Sequence, residues 1–94
     1  MLFAIICIDK PGHEAVRLES RPDHVAFLKE EGEQVVLAGP FLSDDGATMI
    51  GSLLIYDAET LEEAKEFAAG DPYAKAGLFE SVTIRPWRKV FDNR

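Results

Sequence analysis

Three polar residues with the chemistry of a proton-transfer site lie close together in the segment "RLESRPDH". Arg17, Arg21 and His24 have helical spacing, so an uninterrupted helix would place them on one face. An imidazole can both accept and donate a proton near neutral pH, because its reference pKa is about 6.5. A neighbouring guanidinium can hold an anionic group. The combination indicates proton abstraction, elimination or isomerisation on a small acid, which requires no metal and no organic cofactor.

A second candidate is the carboxylate of Asp71 in the segment "GDPYAKAG". A carboxylate beside an imidazole fixes its tautomer and favours its charged form. However, Asp followed by Pro is also a preferred N-cap and first-turn pair, so this carboxylate could instead hold backbone amides. Both uses stay open, since one carboxylate oxygen could hold the turn while the other faces an imidazole.

Metal and phosphate sites find little support in the sequence. His13 and His24 lie 11 positions apart, and no Cys or carboxylate cluster has familiar ligand spacing. The glycines are isolated, so no phosphate-binding loop is visible. We therefore expect no metal site and no cofactor.

The hydrophobic pattern predicts six elements in the order β-α-β-β-α-β. The predicted strands cover residues 2–8, 34–42, 48–57 and 78–87, and the predicted helices cover 13–31 and 60–69. This order is the split arrangement of the α+β, ferredoxin-like fold, in which both helices pack on one face of a four-stranded antiparallel sheet. In the second helix, Thr60 is the expected N-cap and Glu63 its capping-box partner.

Proline inside the first predicted helix raises a local question. Pro22 removes an amide donor and crowds the preceding turn, so the helix should kink or restart, with Ser20 and Asp23 resembling a capping arrangement. A kink would disturb the position of Arg17, whereas Arg21 and His24 should stay neighbours.

The first strand is apolar on both of its faces. Leu2, Ala4, Ile6 and Ile8 alternate with Phe3, Ile5 and Cys7. In a lone two-layer domain the uncovered sheet face should be polar. We therefore expect a second copy of the chain to cover that face, with two sheets packed into a homodimer with a barrel-like interior.

Length and charge limit the possible classes of protein. Ninety-four residues suffice for one compact domain over residues 1–94. The net charge of −7 disfavours nucleic acid and anionic membranes as partners. Four cations gather near the C-terminus, at Arg85, Arg88, Lys89 and Arg94, but they more often protect a terminal strand than bind nucleic acid.

Cysteine usage and the N-terminal sequence suggest a compartment. Cys7 is the single cysteine and cannot form an internal disulfide, which fits a reducing environment. The apolar run "LFAIICI" is too short for a membrane span and lacks the flanking features of a signal peptide. We therefore expect a cytoplasmic protein without a membrane partner.

Three segments of the chain, "RPDHVAFLKEE", "LAGPF" and "GSLLIYDAETLEEAKEFAAGDPYAKAGLFESVTIRPWRKVF", closely resemble the YCII-related (YciI-like) family. The resemblance spans nearly the whole chain and implies a dimeric α+β barrel with an active site built from a His-Asp pair. Carried onto this sequence, the pair is His24 and Asp71. The resemblance also implies that Arg21 binds substrate and that Gly39 and Pro40 bring backbone close to the cavity floor. Pro22 departs from the helix-forming residue more usual in the family motif.

The resemblance leaves the reaction open. One better-understood relative resembles a dehydrochlorinase acting on a chlorinated hydroxyquinone, and a related fold hosts muconolactone isomerases. The first hypothesis is thus a cofactor-independent lyase, dehydrochlorinase or isomerase acting on a small anionic or phenolic substrate. The alternative is a non-catalytic small-ligand-binding or dimeric assembly domain. A third interpretation makes Asp71 only a cap and His24 only a solvated helix residue.

Overall fold

A computed structural model describes all residues from Met1 to Arg94. Its elements are β1 (Leu2–Asp9), α1 (Glu14–Glu31), β2 (Val35–Leu42), β3 (Met49–Asp57), α2 (Leu61–Gly70), α3 (Pro72–Lys75) and β4 (Phe79–Trp87). A 3₁₀ turn over Gly32–Gln34 connects α1 to β2. The predicted β-α-β-β-α-β order is confirmed, and α3 occupies the short turn or helix expected after Asp71.

The four strands form one antiparallel sheet in the order β2-β3-β1-β4. The most apolar strand, β1, is central, and Ile5 pairs with Leu54 on one side and with Ile84 on the other. Side chains from one face of β1 and β3 pack with α2 residues Ala64 and Phe67 into the buried core. The predicted α+β architecture, with helices against one face of an antiparallel sheet, is therefore confirmed.

The opposite face of the sheet carries apolar side chains that no helix covers. The strand register places Ile6 beside Leu53 and Leu2 beside Trp87 on this face. Leu53 is 38% exposed and Leu37 on the edge strand is 62% exposed. We call this surface the open face, and the two-sided apolar pattern of the first strand predicted it.

Helix α1 runs without interruption through Pro22. Of the two predicted outcomes, a kink or a restart, the restart is wrong, and Ser20 and Asp23 do not begin a new helix. Proline cannot donate to the carbonyl four residues earlier, which belongs to Leu18. Leu18 and Pro22 are both exposed, so water can donate to the Leu18 carbonyl in place of the missing backbone amide. The continuous helix keeps Arg17, two turns before His24, on the same side of α1.

Helix α2 begins with the predicted cap. The Thr60 hydroxyl accepts a hydrogen bond from the amide of Glu63 at 3.2 Å, and the Glu63 carboxylate accepts one from the amide of Glu59 at 2.7 Å. The Thr60 contact satisfies an amide donor that a helix start would otherwise leave free, whereas the Glu63 carboxylate binds the residue before the cap and not Thr60 itself. None of the helices combines the length and apolar character needed to cross a membrane.

Candidate active site

The turn between α2 and α3 directs the Asp71 carboxylate toward helix α1. Asp71 is the N-cap of α3, with Pro72 in the first turn. Its Oδ1 accepts a hydrogen bond from the backbone amide of Tyr73 at 2.9 Å and lies 2.8 Å from Nδ1 of His24. Capping and contact with the imidazole therefore occur together, and one oxygen makes both contacts instead of the two oxygens dividing them.

The imidazole of His24 has two different environments at its two nitrogens. An ionised carboxylate can only accept hydrogen bonds, so beside it Nδ1 carries a proton and donates a hydrogen bond to Asp71. Nε2 has no hydrogen-bond partner in the protein. Since every fully buried polar side-chain atom in the structure has such a partner, Nε2 is not fully buried. Nε2 therefore retains access to the cavity that His24 lines. In the neutral imidazole, this nitrogen presents its lone pair to a bound molecule.

The cavity lies between helix α1 and the β2 edge of the sheet. Its volume is about 120 Å³. It is close in size to cavities of about 150 Å³ that bind one benzene-sized ring. The residues that line it come mainly from α1, β2 and β3 and include Arg17, Arg21, His24, Gly39, Pro40 and Ser52. The site can accommodate a small molecule of roughly one ring.

The predicted site residues gather at this cavity, with one of them behind its wall. Arg21, Gly39 and Pro40 line the cavity together with His24. Arg21 is exposed and forms no ion pair, so its charge is available to a ligand. Asp71 is buried and reaches the cavity only through the imidazole.

Arg17, whose contribution the sequence left open, is almost completely buried. Its Nε and Nη2 donate to the Asp9 carboxylate at 2.7 and 3.0 Å, and Nη2 also donates to the Ser52 hydroxyl at 2.8 Å. Burial lowers the pKa of Arg17, but the hydrogen bonds and charge of Asp9 outweigh that effect and raise the pKa overall. Arg17 is therefore a permanent buried cation in the cavity wall.

Tyr73 connects the arginine to the histidine. Its ring stacks on the His24 imidazole with centroids 3.9 Å apart and an angle of 15° between the planes. The guanidinium carbon of Arg17 lies over the same ring, 4.5 Å from the centroid. Since two planar groups at these distances cannot share one ring face, Tyr73 is held between Arg17 and His24.

Sequence reasoning assigned no site role to Tyr73, Ser52 or Asp9. One signal was available for Ser52, which is the single polar residue among the inward positions that alternate through Leu54 and Tyr56 of β3. A buried hydroxyl at such a position needs a partner, and Arg17 supplies it. No comparable local pattern distinguishes Asp9, which follows the apolar strand as an ordinary turn residue would.

The site contains no arrangement suited to a metal ion, because no group of three or more His, Cys, Asp or Glu side chains comes together in the structure.

Cys7 lies nearby in β1, and its thiol is buried. Burial, and next the negative charge of Asp71, raise the pKa of Cys7 to about 12. The thiol is therefore protonated at neutral pH and is a poor nucleophile.

Comparison with known proteins identifies relatives of this chain that are similar in sequence. The protein named YciI from Escherichia coli is 39% identical over 99 residues, covering 97% of this chain and all of that protein. An uncharacterized protein from Haemophilus influenzae is 36% identical over 98 residues, with coverage of 97% of this chain and 100% of that protein.

A solved structure with a similar fold is 5-chloro-2-hydroxyhydroquinone dehydrochlorinase from Burkholderia phenoliruptrix, in complex with 2,5-dihydroxybenzoquinone. It superposes with a TM-score of 0.86 and 36% identity over 94% of each chain. The model of the YCII-related domain matches residues 1–88. On this match and on the similarity to the curated relatives, the chain belongs to the YCII-related family.

Proposed function

We propose that the protein is a small-molecule enzyme of the lyase or isomerase type. In this proposal His24 shuttles a proton, Asp71 orients the imidazole and stabilises its charged form, and Arg21 binds an anionic or phenolic oxygen of the substrate. The observation that carries the proposal is the 2.8 Å contact between His24 Nδ1 and Asp71, with Nε2 open to the cavity.

The chemical step follows from the two nitrogens of the imidazole. Nε2 accepts a proton from an O–H or C–H bond of the substrate, and the electron pair of that bond stays with the substrate. His24 then carries a positive charge, and the buried carboxylate of Asp71 compensates it. An isomerase returns the proton to another atom, whereas an elimination releases a leaving group with its own electron pair.

The substrate class is a small molecule of about one ring that carries an acidic oxygen. The cavity volume of about 120 Å³ and the free charge of Arg21 support this class. Family membership adds support, because the Burkholderia relative acts on a chlorinated hydroxyhydroquinone and was solved with a dihydroxybenzoquinone. A hydroxylated, halogen-bearing ring is therefore the first substrate class to test.

We also propose that a second copy of the chain covers the open face. Leu37 and Leu53 present apolar side chains there, close to Ile55 and Phe41 around a shallow depression. Burial of such a surface is favourable at roughly 25 cal/mol per Å². A homodimer joined through two open faces would bury this apolar surface and leave both cavities on the outer, helical layer.

The test of the enzymatic function compares the two histidines of the chain. Chlorinated hydroxyhydroquinones and 2,5-dihydroxybenzoquinone are screened by thermal shift, and each stabilising compound is followed for conversion by absorbance and chromatography. We expect His24→Gln to lose at least about 100-fold in kcat while it still binds the compound. His13→Gln is the matched control, because the only hydrogen bond of the His13 side chain is with the carbonyl of Pro11, outside the cavity.

Two outcomes would contradict the proposal. Full turnover by His24→Gln would remove the proposed proton transfer. Stabilisation by ligand without any product, in the wild-type protein, would instead favour a non-catalytic binding domain.

A further inference from the structure

The hydroxyl of Tyr73 makes no hydrogen bond of good geometry within the protein, although the residue is only 1% exposed. The Arg17 guanidinium approaches its oxygen as a donor, which acts to lower the pKa of the hydroxyl. Every fully buried polar side-chain atom in the structure has a hydrogen-bond partner. The Tyr73 oxygen is therefore not fully buried, and it accounts for part of the small exposed area of this side chain. Tyr73 lines the same cavity as His24 and Arg21. A nearly buried phenol therefore presents a free donor to the space that a ligand would occupy.

The ring that carries this hydroxyl is fixed on three sides. His24 stacks on one face at 3.9 Å, and Arg17 covers the other face at 4.5 Å from the centroid. The backbone amide of Tyr73 is bound to Asp71. A guanidinium can only donate, so Arg17 acts on the hydroxyl through its charge and through the oxygen lone pair, and it leaves the O–H donor to a ligand. The donor is thus held in place before any ligand arrives.

The electrostatic environment suits a negatively charged acceptor. Burial raises the pKa of Tyr73 more than the positive charges of Arg17 and Arg21 lower it. The phenol therefore keeps its proton at neutral pH and can donate it in a hydrogen bond. The same two guanidiniums attract an anionic oxygen to the neighbourhood of the hydroxyl.

We propose that Tyr73 is the oxyanion-binding residue of this site, donating a hydrogen bond to a phenolate or enolate oxygen of a ligand that lies against His24. Arg17 helps to position this donor, because its guanidinium lies over the Tyr73 ring. This inference rests on the proposed function and narrows its substrate class. The ligand must carry an oxyanion close to the atom that exchanges a proton with Nε2.

The experiment measures binding of 4-nitrophenolate, which resembles a substrate oxyanion but cannot react, by calorimetry and by its absorbance shift. Tyr73→Phe keeps the stacked ring and removes only the hydroxyl. Because a hydrogen bond to a charged acceptor is lost, we expect about 10- to 100-fold weaker binding. Nitrobenzene has the same ring without the oxyanion, and its affinity should change by less than about twofold.

Tyr56→Phe is the matched control. Tyr56 is also buried, but its hydroxyl donates to Glu31 outside the cavity. This variant should bind 4-nitrophenolate as the wild type does, even though it also removes a tyrosine hydroxyl, one that donates to a carboxylate of the protein.

Three results would overturn the assignment of Tyr73: equal phenolate affinity in wild type and Tyr73→Phe, an equal loss for phenolate and nitrobenzene, or no phenolate binding by the wild type at millimolar concentration. The proposed proton transfer is tested separately, through turnover of His24→Gln. Normal turnover by that variant would remove the reaction proposed for His24 and leave the phenolate result for Tyr73 standing.

Discussion

Arg17 and Asp9 form a two-point ion pair inside the protein, with Nε to Oδ2 at 2.7 Å and Nη2 to Oδ1 at 3.0 Å. Their side chains are 2% and 6% exposed. The same guanidinium also binds Ser52 and covers Tyr73. One buried pair therefore connects the end of β1 with the first turn of α1, and the same guanidinium reaches β3 and α3.

Removal of the guanidinium should destabilise the protein strongly. Arg17→Met leaves the Asp9 carboxylate buried without its partner, so we expect the free energy of unfolding to fall by about 3 to 5 kcal/mol in urea titrations. The double variant Arg17→Met with Asp9→Asn should recover part of this loss, because no unpaired charge remains. The exposed Lys65→Met on helix α2, away from the open face, is the control and should change stability by less than about 0.5 kcal/mol. A loss below about 1 kcal/mol for Arg17→Met would contradict this account.

The substitution Asp71→Asn should separate the two proposed roles of this carboxylate, helix capping and proton transfer. Asn caps helices about as well as Asp, so Asp71→Asn should change the free energy of unfolding by less than about 1 kcal/mol. A neutral amide cannot compensate a charged imidazole, so kcat should fall by at least about 100-fold. Thermal melts and steady-state kinetics on a substrate identified by the screen measure the two effects.

Asp45→Asn provides a control for the substitution itself. The Asp45 carboxylate also accepts a backbone amide, that of Ala47 at 3.0 Å, but it lies in the exposed hairpin turn. This variant should keep full turnover. If Asp71→Asn retained both turnover and ligand affinity, Asp71 would be a cap and nothing more.

The buried thiol of Cys7 should make stability fall at alkaline pH. Its pKa rises from 9.0 to about 12 on folding. Between these values the unfolded chain loses the proton and the folded protein keeps it, so the contribution is fully present below pH 9 and is lost as pH rises toward 12. We expect the wild type to lose up to about 1.4 kcal/mol per pH unit relative to Cys7→Ala in this window.

Urea unfolding at several alkaline pH values measures this difference. Other titrating groups are common to both proteins and cancel in the comparison. Cys7→Ala also removes packing, but that cost does not vary with pH. Parallel stability curves for the two proteins would show that the thiol is not protected from ionisation.

A charge on the open face should prevent pairing of two copies. The wild type is expected to sediment as a dimer at micromolar concentration. Leu53→Lys would bury an ammonium group between the two sheets, so this variant should sediment as a monomer. Leu18→Lys makes the same change on the outer surface of α1 and should leave the dimer intact. A wild-type protein that is monomeric at micromolar concentration would remove the proposed homodimer.

Most of the fold could be predicted because its signals are local. The alternation through Phe3, Ile5 and Cys7 marks a buried strand face, and the Thr60 and Glu63 spacing marks a helix start. The restart, one of the two outcomes predicted at Pro22, is wrong because the local rule ignores solvent, which can satisfy the carbonyl that proline leaves free. The outcome at this position depends on exposure, which the residue type alone does not give.

The site was less predictable because its contacts cross long stretches of sequence. His24 and Asp71 are 47 positions apart and were paired by family resemblance, not by spacing. Arg17 and Ser52 are 35 positions apart, and no pattern in either segment indicates the other. By residue type Tyr73 looks like an ordinary core residue. Only its position between Arg17 and His24 indicates that it belongs to the site.

The single oxygen of Asp71 that contacts both His24 and the amide of Tyr73 provides a reporter for site assembly. Helix α3 has only four residues, too few to be stable without its cap and its packing. Hydrogen exchange at the Tyr73 amide requires that this contact with Asp71 open. The exchange rate of one backbone proton therefore follows how often the turn that orients the imidazole comes apart. A ligand that occupies the cavity should slow that proton in proportion to its occupancy.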